Sequence, residues 1–308
     1  LNVPIGAVGM VLTSILIKNY REAAVAPFDW LGFVLTGVAL AAVLYSLDLA
    51  SHGSLEDGIF FLVLMLGGLG MGWIAVLHAW RHPSPLIALS LFRHPTFALS
   101  VWGGIFWRIA AGSVPFLLPV FLQVGLGMTA FASGLLILTD ALGNLAMNAA
   151  APAIIRRWGF RRVLVWNGVL SAIAIAGSAA IGGSTPVALV SAAYFLFGFL
   201  RSLQYNALST LQYADVEARE MSAATSFASM TQQMCTGAGI AVGAVLLQLV
   251  LMAHGGGAGG LSAPDIRIVF VAEAVCAFFS IPFFRRLSAD AGAEVSGHRA
   301  ALPARSAE

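Results

Sequence analysis

Charge is scarce in this 308-residue sequence: Asp, Glu, Lys and Arg make up 10% of it, against roughly 25% in a soluble globular protein. With 59% hydrophobic residues and a mean hydropathy of +0.89, that scarcity excludes an ordinary soluble domain. The net charge of +2 is small and no compact basic-aromatic patch occurs, so no nucleic-acid partner is expected. The only two cysteines, Cys235 and Cys276, sit in apolar runs and read as small packing residues rather than a disulfide. No Walker sequence is present, so the chain carries no ATP-driven pump domain. HExxH and acid-histidine-serine arrangements are also missing, which argues against a membrane protease or hydrolase. No enzyme activity and no cofactor are expected. The histidines His52, His78, His82, His94, His254 and His298 fall in loops, at span ends or in the tail, and no metal cluster is expected from them. The opening "LNVPIGAVGM" has neither an initiator Met nor a basic n-region. It is not a signal peptide, and it reads as the interior of a longer protein.

What is abundant is apolar sequence in stretches of membrane-spanning length, about 20 residues each. Nine qualify: Leu1–Ile17, Leu31–Leu49, Ile59–Trp80, Phe97–Val124, Thr129–Ile155, Val163–Ile181, Val187–Leu211, Met221–Met252 and Ile268–Phe284. The expected fold class is therefore an all-α integral membrane protein. If the first span ends in the cytoplasm, thirteen Lys and Arg residues fall on the inner side and only Arg267 on the outer. Such a bias sets orientation, with the C-terminus cytoplasmic. The tail after Phe284 is Ala-, Ser- and Gly-rich and reads as disordered. "AHGGGAGGLSAPD" reads as a flexible outer loop, and "RHPSPLIALSLFRHPTF" as a linker lying at the interface before a bundle of six spans.

Polar groups inside the spans are the candidates for function, because an ionisable residue there costs on the order of 3 kcal/mol. Asp140 lies mid-span in "GLLILTDALGNLAMN", with Asn144 and Asn148 at i+4 and i+8 on the same helical face. Asp140 could be a proton site, half of a buried ion pair or a substrate contact, and the stripe could equally be a helix-helix hydrogen-bond seam. Arg108 lies at comparable depth in the preceding antiparallel span, which makes an Arg108–Asp140 pair the expected arrangement. Arg201, Tyr205, Ser209 and Gln212 run along one face of the seventh span, with Gln204 at its shoulder. Ser226, Ser229, Gln233 and Thr236 form a second stripe in the eighth, flanked by Gln232. Neutral polar stripes of this kind suit either a permissive cavity or inter-helix seams. The following "GAGIAVGA" reads as a small-residue surface for close helix approach. Glu273 is expected to snorkel toward the outer interface. "RRWGFRR" reads as a lipid anchor or as a conformational latch built around its glycine.

Five stretches in order, "LNVPIG", "APFDWLG", "PFLLPVFLQVGLG", "RRWGFRRVL" and "FGFLRSLQYNALSTLQYAD…SFASMTQQ", resemble the major facilitator superfamily. The similarity is closest to fourteen-span drug:proton antiporters of the EmrB/QacA type. The resemblance implies a major facilitator fold with residues 1–18 as the last span of the N-terminal bundle and 19–96 as an inserted two-span region. Residues 97–286 would be the six-span C-terminal bundle and 287–308 a cytoplasmic tail. It implies a secondary transporter in the inner (plasma) membrane that exports amphipathic small molecules in exchange for protons, completed by an N-terminal bundle outside this sequence. Within that reading, the polar residues Arg108, Asp140, Asn144, Arg201, Gln204, Tyr205, Gln232 and Gln233 are the candidates for the substrate and proton pathway, although Asp140 departs from the family pattern. A latch role carries over to Arg156, Gly159, Arg161 and Arg162. Metabolite uptake by the same fold and a truncated, non-transporting fragment are the alternatives.

Overall fold

A computed structural model describes residues 2–16, 28–52, 58–82, 85–86, 88–217, 220–254 and 261–297. Among them the ordered elements are all helical, and eight helices are long and apolar enough to cross a membrane. The chain is an all-α, multi-pass membrane protein. Seven of the eight crossings run over α2 (Trp30–His52), α3 (Gly58–Arg81), α4 (Pro95–Val120), α5 (Ala130–Trp158), α6 (Phe160–Ser178), α7 (Val187–Gln212) and α8 (Met221–Ala253). The eighth is made by α9 (Ala263–Phe278) with the short α10 (Ile281–Arg285). Its break falls at Phe279–Ser280, just before Pro282, which has no N–H to continue the ladder. The first expected span appears as α1 (Asn2–Leu16), 15 residues long, which is about 22 Å against a hydrocarbon core of about 30 Å. Lys18, Arg21, Arg219, Arg299 and Arg305, among the thirteen inner-side residues counted above, lie outside the described residues.

The outward faces explain why the sequence carries so few charges. Phe131, Leu135, Leu138, Leu142 and Leu145 of α5 are about half exposed or more, as are Trp166, Leu170 and Ile173 of α6. In water these stripes would be costly, whereas in lipid they meet their own kind. Inside, α5 packs chiefly on α7, α4 on α8, and α6 on both α7 and α9. The α2–α3 hairpin leans on α8.

Glycine sets the two tightest crossings. A Cβ at Gly143 of α5 would stand 2.0 Å from the Phe195 carbonyl oxygen of α7. One at Gly198 of α7 would stand 2.0 Å from the Asp140 carbonyl oxygen. Between α4 and α8, a Cβ at Gly239 would come within 2.3 Å of the Ile109 carbonyl oxygen, and Gly112 faces the Thr236 backbone. Gly239 and Gly243 belong to "GAGIAVGA", so the small-residue surface read from the sequence is the α4–α8 contact.

Two expectations about the flanks change. The segment before α4 forms a 3-10 turn, Leu89–Arg93, whose Leu91 is buried. Ser90 and His94 both bond Glu220 at the start of α8, at 3.3 and 3.2 Å. Apolar Leu91 and Phe92 join Phe97 and Phe227, which draws this part of the linker onto the bundle rather than along the interface. The start of the tail is folded as well. Leu287 and Ala291 are buried, Gly292 packs in a left-handed conformation (φ +67°) against Phe160, and α11 (Ala293–Ser296) follows. The apolar Leu287 and Ala291 cover the α5–α6 end, so disorder is not the state of residues 287–297. Residues 298–308 and the glycines 255–260 lie outside the described residues.

Asp29 fixes the start of α2. It accepts the Gly32 N–H at 2.8 Å and the Leu86 N–H at 3.1 Å, and lies 2.9 Å from His78 of α3. Burial pushes its carboxyl up, but these hydrogen bonds and the neighbouring imidazole outweigh it and hold the group at about 2. A depressed carboxylate contributes stability above its unfolded value near 3.9 and loses it as pH falls toward the folded one. The excess thermal stability of the native protein over Asp29→Asn in detergent should therefore be constant from neutral pH to about 4 and shrink below that. A second comparison tests the crossings. Gly143→Ala should destabilise by about 2 kcal/mol or more through overpacking, whereas Gly134→Ala on the same helix, with open space at its Cβ, should be neutral or stabilising. Detergent unfolding of the two variants side by side provides the check.

Candidate functional site

Because α5 and α7 touch backbone to backbone at Gly143 and Gly198, the polar residues beside the contact are forced together. Arg201, one turn beyond Gly198, donates from Nη2 to Asp140 Oδ2 at 2.6 Å. The side chains are 17% and 11% exposed, so the pair is largely withdrawn from solvent. The guanidinium also lies 5.6 Å from the Phe197 ring centroid, where its charge meets the π face. One turn further along α5 the stripe continues as a seam. Asn148 Nδ2 donates to Asn144 Oδ1 at 3.3 Å, and Asn148 Oδ1 accepts from Ser202 Oγ at 3.3 Å and Asn206 Nδ2 at 2.9 Å. Asn206 and Thr210 then reach a cavity of about 500 Å³, walled also by Pro152, Arg156 and Phe160.

The expected Arg108–Asp140 pair does not form. Consecutive helices are not the closest neighbours here: α5 faces α7, and α4 faces α8. Arg108 is fully buried, and its Nη2 donates instead to Gln212 Oε1 at 3.1 Å. Its Nε and Nη1 have no hydrogen-bond partner, and neither do the nearby Gln212 Nε2 and Trp107 Nε1. Gly104 makes room for the guanidinium, since a Cβ there would stand 2.9 Å from Arg108 Nη1. The result is a buried group of N–H donors with a shortage of acceptors. Tyr205 adjoins it, edge-on to the Trp107 ring at 4.9 Å.

Gln204 is equally buried but faces α6. Its Oε1 accepts from Asn167 Nδ2 at 2.8 Å and its Nε2 donates to the Leu164 carbonyl at 3.3 Å, so it clamps two helices instead of lining a space. The α8 stripe is more open: Ser226, Ser229 and Gln233 are exposed and Gln232 is half-buried. In "RRWGFRR", Gly159 takes φ +75° and ends α5 while starting α6. That angle lies in the region where glycine is favoured. Arg161 and Arg162 are exposed, without an ion-pair partner among the described residues, and Arg156 lines the cavity.

Glu273 corrects a further expectation. It is fully buried, with neither carboxyl oxygen hydrogen-bonded, and Oε1 lies 3.7 Å from the Cβ position of Gly243. Snorkelling fails because Val269, Phe270, Ala274 and Ala277, on the same face of α9, are all core residues. The expectation that the histidines form no cluster fails at one place. His78 in the last turn of α3 and His82 just beyond it, four residues apart, stand with Asp29 so that one ligand atom from each lies within 4.8 Å of the others. The HxxxH spacing was visible in the sequence; the aspartate 49 residues upstream was not assignable from it.

No family model matches the chain. It is similar to proteins provisionally named multidrug resistance protein MdtD. That of Pectobacterium carotovorum is 30% identical over 297 residues, 94% of this chain and 62% of the relative. Those of Pectobacterium atrosepticum and Citrobacter koseri are each 31% identical over 82% of this chain and 54% of the relative. The chain thus spans a little over half the length of these relatives.

A double-mutant cycle tests the observed pairing. Asp140→Asn alone should destabilise by about 3 kcal/mol, since it leaves a largely buried guanidinium without its counter-charge. Adding Arg201→Gln should recover much of that loss and adding Arg108→Gln should not, as read by thermal unfolding in detergent.

Proposed function

We propose that the parent protein is a major facilitator transporter of the EmrB/QacA type that exports amphipathic small molecules across the inner membrane in exchange for protons. The names of the relatives support multidrug resistance, and the order of motifs supports the family. The arginine bias supports a cytoplasmic C-terminus. In this reading residues 97–286 form the C-terminal bundle, which would rock against an N-terminal bundle that the sequence does not include. The exposed polar stripe of α8, with Gln232 and Gln233, and Tyr205 beside Arg108 supply part of the wall facing the substrate. Residues 1–18 and 19–96 contribute the last N-terminal span and the inserted pair.

The observation that carries the coupling is the Asp140–Arg201 pair at the head of the asparagine seam. An ionised Asp140 holds α5 to α7 through charge. Taking up a proton turns its carboxylate into a neutral acid, removes the Coulomb attraction to Arg201 and loosens the seam that leads to the Asn206 cavity. Release of the proton on the other side restores the pair. Binding to a substrate enters by differential affinity for the two states of the seam. Arg156, Gly159, Arg161 and Arg162, at the α5–α6 turn, are placed to latch one state.

Full-length protein in proteoliposomes tests this reading. Export of a lipophilic dye should accelerate when an inward proton gradient is imposed, and Asp140→Asn should abolish that acceleration while keeping downhill exchange. Transport by the native protein that ignores the gradient would overturn the antiporter assignment.

A further inference from the structure

The α2–α3 hairpin carries a cluster for which the transport reading has no use. His78 in the last turn of α3 and His82 just past its end are one turn apart, with ring centroids 5.0 Å from each other. Asp29 enters from the start of α2, its Oδ1 2.9 Å from His78 Nε2. We propose that Asp29, His78 and His82 form a binding site for a divalent transition-metal ion of the Zn²⁺ class, which clasps the start of α2 to the end of α3.

The geometry is close to what such an ion needs. Zn–N and Zn–O bonds are about 2.1 Å, so two ligands on one ion stand no more than about 4.2 Å apart and, at a right or tetrahedral angle, about 3.0–3.4 Å. The His78–Asp29 separation of 2.9 Å already matches that edge. The whole set lies within 4.8 Å, so bringing its farthest pair to a tetrahedral edge takes a side-chain adjustment of about 1.4 Å. Two imidazoles and one carboxylate favour Zn²⁺ and its borderline neighbours over Mg²⁺ or Ca²⁺, which prefer all-oxygen sets. Three protein ligands leave a fourth position for water.

The carboxylate is prepared for the role. The Gly32 and Leu86 N–H groups bond its two oxygens and fix its orientation, as outer partners do around metal ligands. Oδ2, with Leu86 as its hydrogen-bonding partner among the described residues, retains a lone pair that can turn to the ion. Asp29 is buried and both histidines are half-buried, so the ion would sit partly screened from bulk water at the end of the hairpin. Among the described residues the other histidine-acid contacts have no third ligand: His94 meets Glu220 and His254 meets Asp265.

The test uses untagged full-length protein in detergent, dialysed to equilibrium against chelator-buffered Zn²⁺. Native protein should retain about one ion per chain, and Co²⁺ substituted for it should show the visible ligand-field spectrum of a nitrogen- and oxygen-ligated site. His82→Ala keeps the Asp29 contacts with Gly32, Leu86 and His78, and far-UV circular dichroism of the metal-free variant checks that it folds. Its Zn²⁺ affinity should fall by about 100-fold or more, as loss of a ligand costs at least as much as loss of an outer partner. His94→Ala should bind as native does. Absence of retained Zn²⁺ in native protein, or equal retention by His78→Ala, His82→Ala and native, would overturn the assignment. Neither result touches the proton-gradient experiment, which reads a different part of the molecule.

Discussion

The close crossing of α5 and α7 governs the arrangement of nearly every polar group in the bundle. Gly143 and Gly198 let each helix rest on the other's backbone, and that contact fixes both depth and rotation. Once it is made, Asp140 has its own backbone against Gly198 and its side chain directed at the next turn of α7, where Arg201 waits. Asn144, Asn148, Ser202 and Asn206 follow at helical spacing, and Asn148 bonds Asn144, Ser202 and Asn206. An apolar seam would pack as well. A polar one in hydrocarbon loses little when matched and a great deal when mismatched, so it specifies one register and penalises others.

Charge is treated differently in the other half. Arg108 on α4 and Glu273 on α9 are fully buried, yet among the described residues no opposite charge pairs with either. A guanidinium cannot shed its proton, so the cost of Arg108 falls on its surroundings: the Gln212 amide oxygen and the space that Gly104 leaves open. The α4–α8 crossing at Gly112 and Gly239 closes this region as tightly as Gly143 and Gly198 close the other. One bundle thus contains a neutralised seam between α5 and α7 and an un-neutralised core around α4.

Much of this was legible in the sequence, and the division follows physical scale. Spans are set by composition over about 20 residues, and each expected stretch from residue 31 onward holds a helix within a few residues of its limits. Stripes such as Asp140–Asn144–Asn148 follow from the helical period alone. Partner choice depends on which helices adjoin, and chain order misled there: Arg108 is nearer to Asp140 in sequence than Arg201 is, but α4 lies against α8. Glu273 misled because its reading rested on depth alone, while its fate depends on the core face it shares with Val269 and Phe270. Asp29 and His78 meet across 49 residues, a pairing that no local pattern carries. The tail misled through composition, since two apolar residues, Leu287 and Ala291, are enough to anchor it.

Burial along the α5–α7 seam is graded, and the gradient gives the proposed transport cycle a direction. Asp140 is 8% exposed, Asn144 is half-buried and Asn148 is exposed. Four residues on, Pro152 lies inside α5 and has no N–H to give the Asn148 carbonyl, so the helix is weakest where its side chains are wettest. The glycine contact at the other end resists separation, because backbone atoms already touch. Loss of charge at Asp140 would therefore be felt least at the Gly143–Gly198 contact and most beyond Asn148. There α5 is short of a hydrogen bond, and Asn206 and Thr210 border the cavity. A proton taken up at the tight end would in this way loosen the distant, wet end, which is where Arg156 and the Gly159 turn can stabilise one position over another.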